Sequence, residues 1–279
     1  MPNHGSGTRI NLMSDLIIGI DRGASFTDLA VVQDKSLVDH LSIEARGWPE
    51  IRAALERIQG KYPTSRIAFS GASADMPLAL KEQVVTVPEV ESIGCGGATL
   101  AGCKTCLVIS MGTGSAIVHV DKGRSNHMGG TGVGGGTIKG LAKLICGIED
   151  VHRLEELARD GNAAGMNMTI GDLGLAGLSF LSADATVSNF AGIKSDSQED
   201  KAAGILSLVA ETIGIIASLC ALHAGCGNSI VGIGKVAANR QIRHTLDRVG
   251  DLYQTKFLFP EHGGCATAYG AAISTLNQA

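Results

Sequence analysis

The sequence predicts an α/β protein built from two similar lobes that face each other across a cleft. Three observations support this prediction. Short apolar strands alternate with amphipathic helices along the chain. A unit of strand, glycine turn and strand occurs twice, roughly ninety residues apart. Glycine accounts for 38 of the 279 residues, about twice its average share, so many positions need a backbone without a side chain.

The first lobe begins with one of these units. Residues 16–21 form a short apolar run, a Gly-Ala-Ser turn follows, and apolar character resumes over residues 28–32. Apolar residues at helical spacing within 49–60 predict an amphipathic helix. The short runs 66–70 and 83–87 are bounded by glycine or proline and are typical of strands.

The second lobe begins with the repeated unit, a buried strand over 106–110, a small-residue turn and a second strand over 116–120. Helices dominate the rest of this lobe, among them a long apolar helix from Lys201. A third strand and glycine turn lie at 229–235, and the chain ends in a Gly/Ala-rich helix from Gly263. The lobe therefore has the same strand-first plan as the first one.

The expected domain organisation follows from these patterns. Residues 1–13 are polar and small and are expected to be a disordered leader. The first lobe is expected over 14–104 and the second over 105–279, and the last helix can pack back on the first lobe.

Composition excludes several classes of function. The net charge is −4 and no basic block is present, so nucleic acid and anionic membranes are not expected partners. Seven cysteines without a secretory signal predict reduced thiols and a cytoplasmic location. Residues 205–224 are apolar enough to span a membrane, but they include Glu211. A carboxylate is costly in the centre of a bilayer, so a buried helix is the better interpretation.

The two glycine turns are candidate phosphate loops. A turn of Gly, Ser and Thr between strands presents unpaired N–H groups that can bind phosphate oxygens. Each turn alone is typical of an ordinary hairpin, whereas two of them on facing lobes can clamp a triphosphate. Asp21, at the end of the first strand, could hold Mg²⁺ through water because hard cations prefer oxygen ligands.

The densest glycine signal is at residues 129–141, where six glycines occur within eight positions and run into helical periodicity. A helix that begins in this way offers bare N–H donors to an anion. The alternative is close packing of the helix against a strand.

At these loops the sequence resembles the actin-like ATPase and sugar-kinase superfamily, and within it the type II pantothenate kinases. Residues 129–141 resemble that family's glycine run, and 111–115 its second phosphate loop. Residues 186–191 resemble its T-x-[AS]-N-F-G segment, and 233–235 followed by Asn239 resemble its adenosine loop. The likeness is closest in the chain after residue 85.

The resemblance implies two ribonuclease-H-like lobes with ATP and Mg²⁺ between them, and a homodimer. It implies a kinase that phosphorylates pantothenate in coenzyme A synthesis. The ATP-binding positions it assigns are Gly23, Ala24, Ser25, Gly112, Thr113, Gly114, Ser115, Gly134, Gly135, Gly136, Gly234 and Lys235. Asp21 is expected to be catalytic and the metal ligand.

The family's catalytic base falls, by order and context, on Glu89, which follows a predicted strand. A carboxylate within hydrogen-bond reach of the acceptor hydroxyl can take its proton as the phosphoryl group moves. Glu91 is the alternative by spacing.

Several positions depart from the family pattern. The first loop reads Asp-Arg-Gly-Ala-Ser, and Asp28 stands where a lysine is usual. The opening of the chain resembles hydantoinase-type relatives of the same fold. Arg22 could supply phosphate charge or be an exposed turn residue. The acceptor is expected to meet Arg124, His127 and Gly130, with His127 in the place of a family arginine.

Three other functions remain open from the sequence. Cys103 and Cys106 have the spacing of a metal knuckle, but no second pair completes four ligands. An ATPase of the dehydratase-activase type would carry a cluster-binding cysteine in residues 129–136, and none is there. A non-catalytic nucleotide sensor is the third possibility, although such a protein needs no Asp21 or Glu89.

Overall fold

The computed structural model describes residues 16–44, 47–63, 65–175 and 181–276. The leader predicted over residues 1–13 lies outside this part of the chain.

The first sheet has five strands: β1 (Leu16–Arg22), β2 (Thr27–Gln33), β3 (Ser36–Ile43), β4 (Arg66–Gly71) and β5 (Val84–Thr86). Their order is β3-β2-β1-β4-β5, with β2 and β3 antiparallel and β4 and β5 parallel to their neighbours. Helix α1 (Trp48–Lys61) covers one face with Ile51, Ala54, Leu55 and Ile58. This is the helical spacing that the sequence predicts. A short helix, α2 (Leu78–Lys81), precedes β5.

The second sheet repeats this plan with β6 (Thr105–Met111), β7 (Ser115–Asp121), β8 (Arg124–Thr131), β11 (Ile230–Ile233) and β12 (Phe257–Leu258). The order β12-β11-β6-β7-β8 matches the first sheet when read from the opposite edge. Neighbouring strands among β6, β7 and β8 are antiparallel, and β11 and β12 extend the sheet as parallel strands. The two sheets therefore have one topology, which confirms the expected pair of similar lobes.

Helices cover the outer face of the second sheet: α4 (Gly135–Leu141), α5 (Val151–Asp160), α6 (Gln198–His223) and α7 (Arg240–Tyr253). A π-helical turn, Ala142–Cys146, continues α4. A separate antiparallel pair, β9 (Met168–Thr169) and β10 (Thr186–Ser188), lies beside α6.

By length and composition, helix α6 is long and apolar enough to cross a membrane. Within its most apolar stretch, 56% is buried inside the protein. Its buried residues join the main core of the second lobe. The packing is that of a core helix.

Two helices lie between the sheets, α3 (Glu89–Leu100) and α8 (Ala266–Leu276). They approach so closely that a Cβ on Gly96 would collide with the carbonyl oxygen of Ala266, and one on Gly270 with that of Ser92. Helix α8 packs on β1, β2 and β4, whereas α3 packs on β6, β7 and β8. The glycine contact between the two helices thus sets the spacing of the two sheets.

The structure contains several elements that the sequence does not predict: α2, α3, β8, β9, β10 and β12. Helix α3 carries three glycines, at 94, 96 and 97, which lower its intrinsic helix propensity. Strand β8 takes up Gly129–Thr131, so the helix after the glycine run begins at Gly135.

We expect Gly96→Ala to lower the free energy of unfolding by at least about 2 kcal/mol, since the new methyl group meets backbone that cannot rotate away. Gly60→Ala is the matched control, because Gly60 lies in α1 with nothing within 4 Å of its would-be Cβ. That control should stabilise the chain by roughly 0.5–1 kcal/mol. Urea unfolding measures both; equal effects would show that the α3–α8 contact can open at no cost.

Candidate active site

The two glycine turns face each other across the cleft. We call residues 23–26, between β1 and β2, the first tip, and residues 112–114, between β6 and β7, the second tip. The hydroxyl oxygens of Ser25 and Thr113 are 2.9 Å apart. The structure therefore brings both predicted phosphate loops to one place.

The tips carry unused donors. Within the described residues, no hydrogen bond leads from the N–H groups of Ala24, Ser25, Thr113 and Gly114 to an acceptor in the protein. Each tip is closed by an internal bond, Gly23 N–H to Phe26 O in the first. Several N–H groups at a bare turn form a concavity that suits an anion.

The glycine run supports the second tip. A Cβ on Gly134 would lie 2.8 Å from the carbonyl oxygens of residues 112, 113 and 114. The N–H groups of Gly135 and Gly136 donate to Gly112 O at 2.8 Å and Thr113 O at 2.9 Å. The close packing that the sequence left open is thus present at these three glycines. Their ATP-binding role stays a prediction, and the unpaired donors lie on the tips.

Three carboxylates form an acid cluster beside the first tip: Asp21, Asp28 and Glu89. Asp21 and Asp28 are directly paired across β1 and β2, so their side chains share a face of the sheet. Glu89 is the first residue of α3. Burial, and next the charges of Asp28 and Glu89, raise the pKa of Asp21 to about 7, and the Lys235 charge opposes them.

Lys235 reaches this cluster from the second lobe. Its ammonium donates to Asp28 Oδ1 at 2.6 Å and lies 5.3 Å from the centre of the Phe26 ring. Gly234, just before it, has φ of +91° and packs on the carbonyl of Met111 at the end of β6. The Lys235 side chain therefore extends from the backbone next to the second tip to Asp28 and Phe26 at the first tip. The sequence predicts an adenosine contact for this residue instead.

The acid cluster offers a divalent cation one carboxylate, that of Asp21, because Asp28 is already paired with Lys235. Among the described residues, no group of three His, Cys, Asp or Glu side chains could hold a metal ion. A cation would therefore rest on Asp21 and be otherwise hydrated, as Mg²⁺ commonly is. A carboxylate whose pKa is raised by burial and by two like charges is one that a bound cation would stabilise.

The structure distinguishes the two candidate bases. Glu89 is exposed at the start of α3 and its charge acts on Asp21. Glu91 instead raises the pKa of Cys95, after burial has done so more strongly. Cys95 lies four residues further along the helix, so Glu91 is turned away from the acid cluster. The choice of Glu89 as the base stays a prediction, now with geometry that favours it.

A cavity of about 440 Å³ opens beside Gly234 and extends along the start of α7. Its lining includes Ala237, Ala238, Arg243 and Phe259. The Arg243 guanidinium lies 4.9 Å from the Phe259 ring centre and donates to Ala237 O at 2.6 Å. The volume and the mixed lining suit a nucleoside.

The expected acceptor residues all lie on β8, but not together. Gly130 pairs with Ala116, two residues beyond the second tip, and His127 pairs with Val118. Arg124 pairs with Asp121 at the far end, roughly 20 Å along the strand from Gly130. His127 is exposed on the side of the sheet that α3 covers. Gly130 thus lies near the second tip, His127 midway along the strand and Arg124 at its far end, and the acceptor role of these residues stays a prediction.

Arg22 is held on the first lobe. Its guanidinium pairs with Asp75, donates to Ala72 O at 3.0 Å and lies 4.6 Å from the Trp48 ring. The side chain is only 11% exposed. These partners favour a structural role over a phosphate contact.

The segment with the family pattern T-x-S-N-F, residues 186–190, surrounds Glu211 of α6. Thr186 Oγ1 and Asn189 Nδ2 donate to its carboxylate at 2.8 and 3.0 Å, and Ser207 Oγ donates at 3.0 Å. Glu211 is half-buried, and a carboxylate that is partly withdrawn from water needs such partners. They explain a carboxylate within the apolar part of α6.

The two cysteines lie in one environment, with Cys106 inside a core cluster and Cys103 packed against that cluster and next to the Cys106 thiol. Cys106 is fully buried in the core, and burial raises the pKa of its thiol to about 12. The thiol of Cys103 donates to Ala101 O.

Sequence reasoning missed the partnership of Asp28 and Lys235. The signal was an acid at a position where the family has a lysine, with a lysine elsewhere in a glycine loop. Only the fold brings these residues together, since 207 positions separate them.

We expect Asp21→Asn to be more stable than the wild type at high pH. The native carboxyl keeps its proton up to about pH 7, whereas the unfolded one loses it near pH 4, so wild-type stability falls as pH rises between these values. The advantage of the variant should grow by up to ~4 kcal/mol between pH 4 and pH 8.

Urea unfolding of nucleotide-free protein in chelator, across this range, measures the advantage. Asp34→Asn, in the exposed turn between β2 and β3, is the matched control and should follow the wild type. An advantage of Asp21→Asn that did not change with pH would contradict the assignment.

Comparison with known proteins identifies the family. The model of the family described as Fumble matches residues 102–274, more than half of the chain. A type II pantothenate kinase of Bacillus cereus is 27% identical over 271 residues, which covers 92% of this chain and 97% of the relative.

Solved structures agree on the fold. The activator of the 2-hydroxyisocaproyl-CoA dehydratase from Clostridium difficile, with bound ADPNP, has a TM-score of 0.66 at 19% identity, covering 94% of this chain and 95% of that one. The ROK hexokinase from Thermus thermophilus has a TM-score of 0.59 at 17% identity, covering 95% and 100%. The fold is thus that of the actin-like ATPases and sugar kinases, and the chain belongs to the Fumble family, the family of the type II pantothenate kinases.

Proposed function

We propose that this protein transfers the γ-phosphoryl group of ATP, with Mg²⁺, to the primary hydroxyl of pantothenate, giving 4'-phosphopantothenate. Its family makes it a phosphotransferase with an alcohol group as acceptor. The observation that carries the finer proposal is the meeting of two donor-bearing tips, 2.9 Å apart at Ser25 and Thr113, beside the acid cluster. The conversion is a step of coenzyme A synthesis.

The tips bind the phosphates in this proposal. The N–H groups of Ala24 and Ser25 meet them from the first lobe, and those of Thr113 and Gly114 from the second. Donors that are already in place need no rearrangement when charge moves from ATP to the acceptor. The glycine run fixes the second tip through its two backbone bonds.

The nucleoside occupies the cavity beside Gly234. The phosphate chain then leads from that cavity to the tips, because Gly234 packs on Met111 and the second tip follows at residue 112. The solved activator, which has a related fold, holds ADPNP.

Glu89 acts as the base. It is the first residue of α3, its side chain is exposed, and its charge acts on Asp21 in the acid cluster. Within hydrogen-bond reach of the acceptor hydroxyl it takes the proton that leaves as the phosphoryl group arrives.

Asp21 holds the Mg²⁺ through its carboxylate. When bound, the ion neutralises charge on the phosphate oxygens. The protein's own part is to hold Asp21 close to the first tip, where burial and the neighbouring acids raise its pKa and a bound cation would favour its ionised form.

The acceptor lies along β8 near His127 and Gly130, on the face of the second sheet that is covered by α3, the helix that begins with Glu89. Pantothenate is chosen because the relatives that align over nearly the whole chain are named type II pantothenate kinases. A homodimer and a cytoplasmic location are proposed on the same ground.

The measurement that tests this function is ADP release by purified protein with ATP and Mg²⁺. Pantothenate, pantetheine and related hydroxyl compounds serve as acceptors, beside a sample without acceptor. Release that depends on pantothenate supports the proposal. Release without any acceptor favours an ATPase of the dehydratase-activase type, and bound nucleotide without turnover favours a sensor.

We expect Glu89→Gln to lower kcat by at least about a hundredfold, the usual contribution of a general base, with ATP affinity nearly unchanged. Glu91→Gln is the matched control, two residues along the same helix and turned toward Cys95, and should keep near wild-type kcat. The assay is acceptor-dependent ADP release, with ATP binding measured by calorimetry. Normal turnover by Glu89→Gln, or a loss confined to Glu91→Gln, would move the base.

A further inference from the structure

We propose that Lys235 is the phosphate-binding cation of this site, supplied from the second lobe, and that Asp28 is the positioning residue that holds its ammonium group at the first tip. This inference rests on the nucleotide-binding part of the proposed function.

The position of Lys235 is fixed at both ends. Its backbone follows Gly234, which packs on Met111 just before the second tip. Its ammonium lies 2.6 Å from Asp28 Oδ1 and 5.3 Å from the ring of Phe26 in the first tip. The side chain therefore crosses the cleft where the phosphates would lie.

The charges of the site call for such a cation. The acid cluster contributes three carboxylates, and the triphosphate would add further negative charge beside them. Arg22, a second cation next to the first tip, pairs with Asp75 and lies over Trp48. Lys235 is close enough to the cluster to oppose the effect of its neighbours on Asp21.

Asp28 has the burial that a positioning residue needs. It is only 7% exposed and lies in β2, paired across the sheet with Asp21. The backbone of Asp28 is fixed in the sheet. Its carboxylate therefore holds the ammonium group of the flexible lysine side chain in one position. The ammonium has three donors, so the bond to Asp28 leaves others for phosphate oxygens.

The alternative is that the Asp28–Lys235 pair is only a strut between the lobes. A strut would affect all nucleosides alike, because it would alter the cleft as a whole. A phosphate-binding cation affects ligands in proportion to their phosphate charge. The number of phosphates on the ligand therefore separates the two roles without any measurement of turnover.

The experiment is calorimetric binding of adenosine, ADP and ATP, the nucleotides with Mg²⁺, to the full chain. We expect Lys235→Met to weaken ADP and ATP binding by at least about tenfold, as loss of a charged hydrogen bond does, and to leave adenosine binding unchanged. Lys61→Met is the matched control, since Lys61 also donates to an aspartate, Asp39, at 2.6 Å. It should change none of the three affinities.

Equal losses for adenosine and ATP, or no loss for either, would overturn the role of Lys235. If Lys235→Met does not fold, which circular dichroism would show, Lys235→Gln keeps a polar side chain and is read in the same way. The comparison of adenosine, ADP and ATP tests the role of Lys235 even if no acceptor is phosphorylated. A failure of the proposed kinase activity can therefore be distinguished from a failure of this inference.

A double-mutant cycle tests Asp28. If Asp28 positions the ammonium, Lys235→Met costs less ATP affinity in the Asp28→Asn background than in the wild type. Equal costs in both backgrounds would overturn the positioning role. Adenosine affinity should again stay constant across the cycle, which a structural defect in β2 would not leave unchanged.

Discussion

The contact between α3 and α8 is the constraint on which the site depends. Each lobe places one of these helices on its inner face, and the pair meets where Gly96 and Gly270 carry no side chain. A larger residue at either position would push the helices, and with them the two sheets, apart. The tips are in contact at Ser25 and Thr113 because this spacing is short. Backbone contact between the two helices that lie between the sheets thus sets the geometry of the cleft.

The acid cluster lowers the stability of the protein when no ligand is bound. Asp21 lies among two other acids in a site that burial makes unfavourable for its ionised form, and one lysine opposes them. Strain of this kind is common where a ligand later supplies the missing charge. The same arrangement gives a cation and a polyphosphate a reason to bind together, since each lessens the repulsion that the other meets.

The glycine run packs on the second tip, in addition to the ATP-binding role that its composition predicts and that stays a prediction. Bare positions before a helix are typical of anion sites, yet the N–H groups of Gly135 and Gly136 are bonded to the second tip. Helix α4 therefore acts as a support that holds the tip rigid, and the unpaired donors are on the tips themselves. Preorganised donors stabilise developing charge more effectively than mobile ones. Helix α4 therefore contributes to the chemistry indirectly, by holding the donors of the second tip in place.

The sequence by itself determined the repeated strand–turn–strand units, the amphipathic helix α1, the two tips and Asp21, because these depend on local periodicity and turn chemistry. It also carried the family resemblance, which the match over residues 102–274 confirms. It did not predict α3, whose glycines argue against a helix and are explained only by the approach of α8. Nor could it decide that Lys235 reaches Asp28, that Arg22 turns to Asp75, or that Arg124 lies far along β8. Those outcomes rest on contacts between residues distant in the chain, and only the tertiary structure brings such residues together.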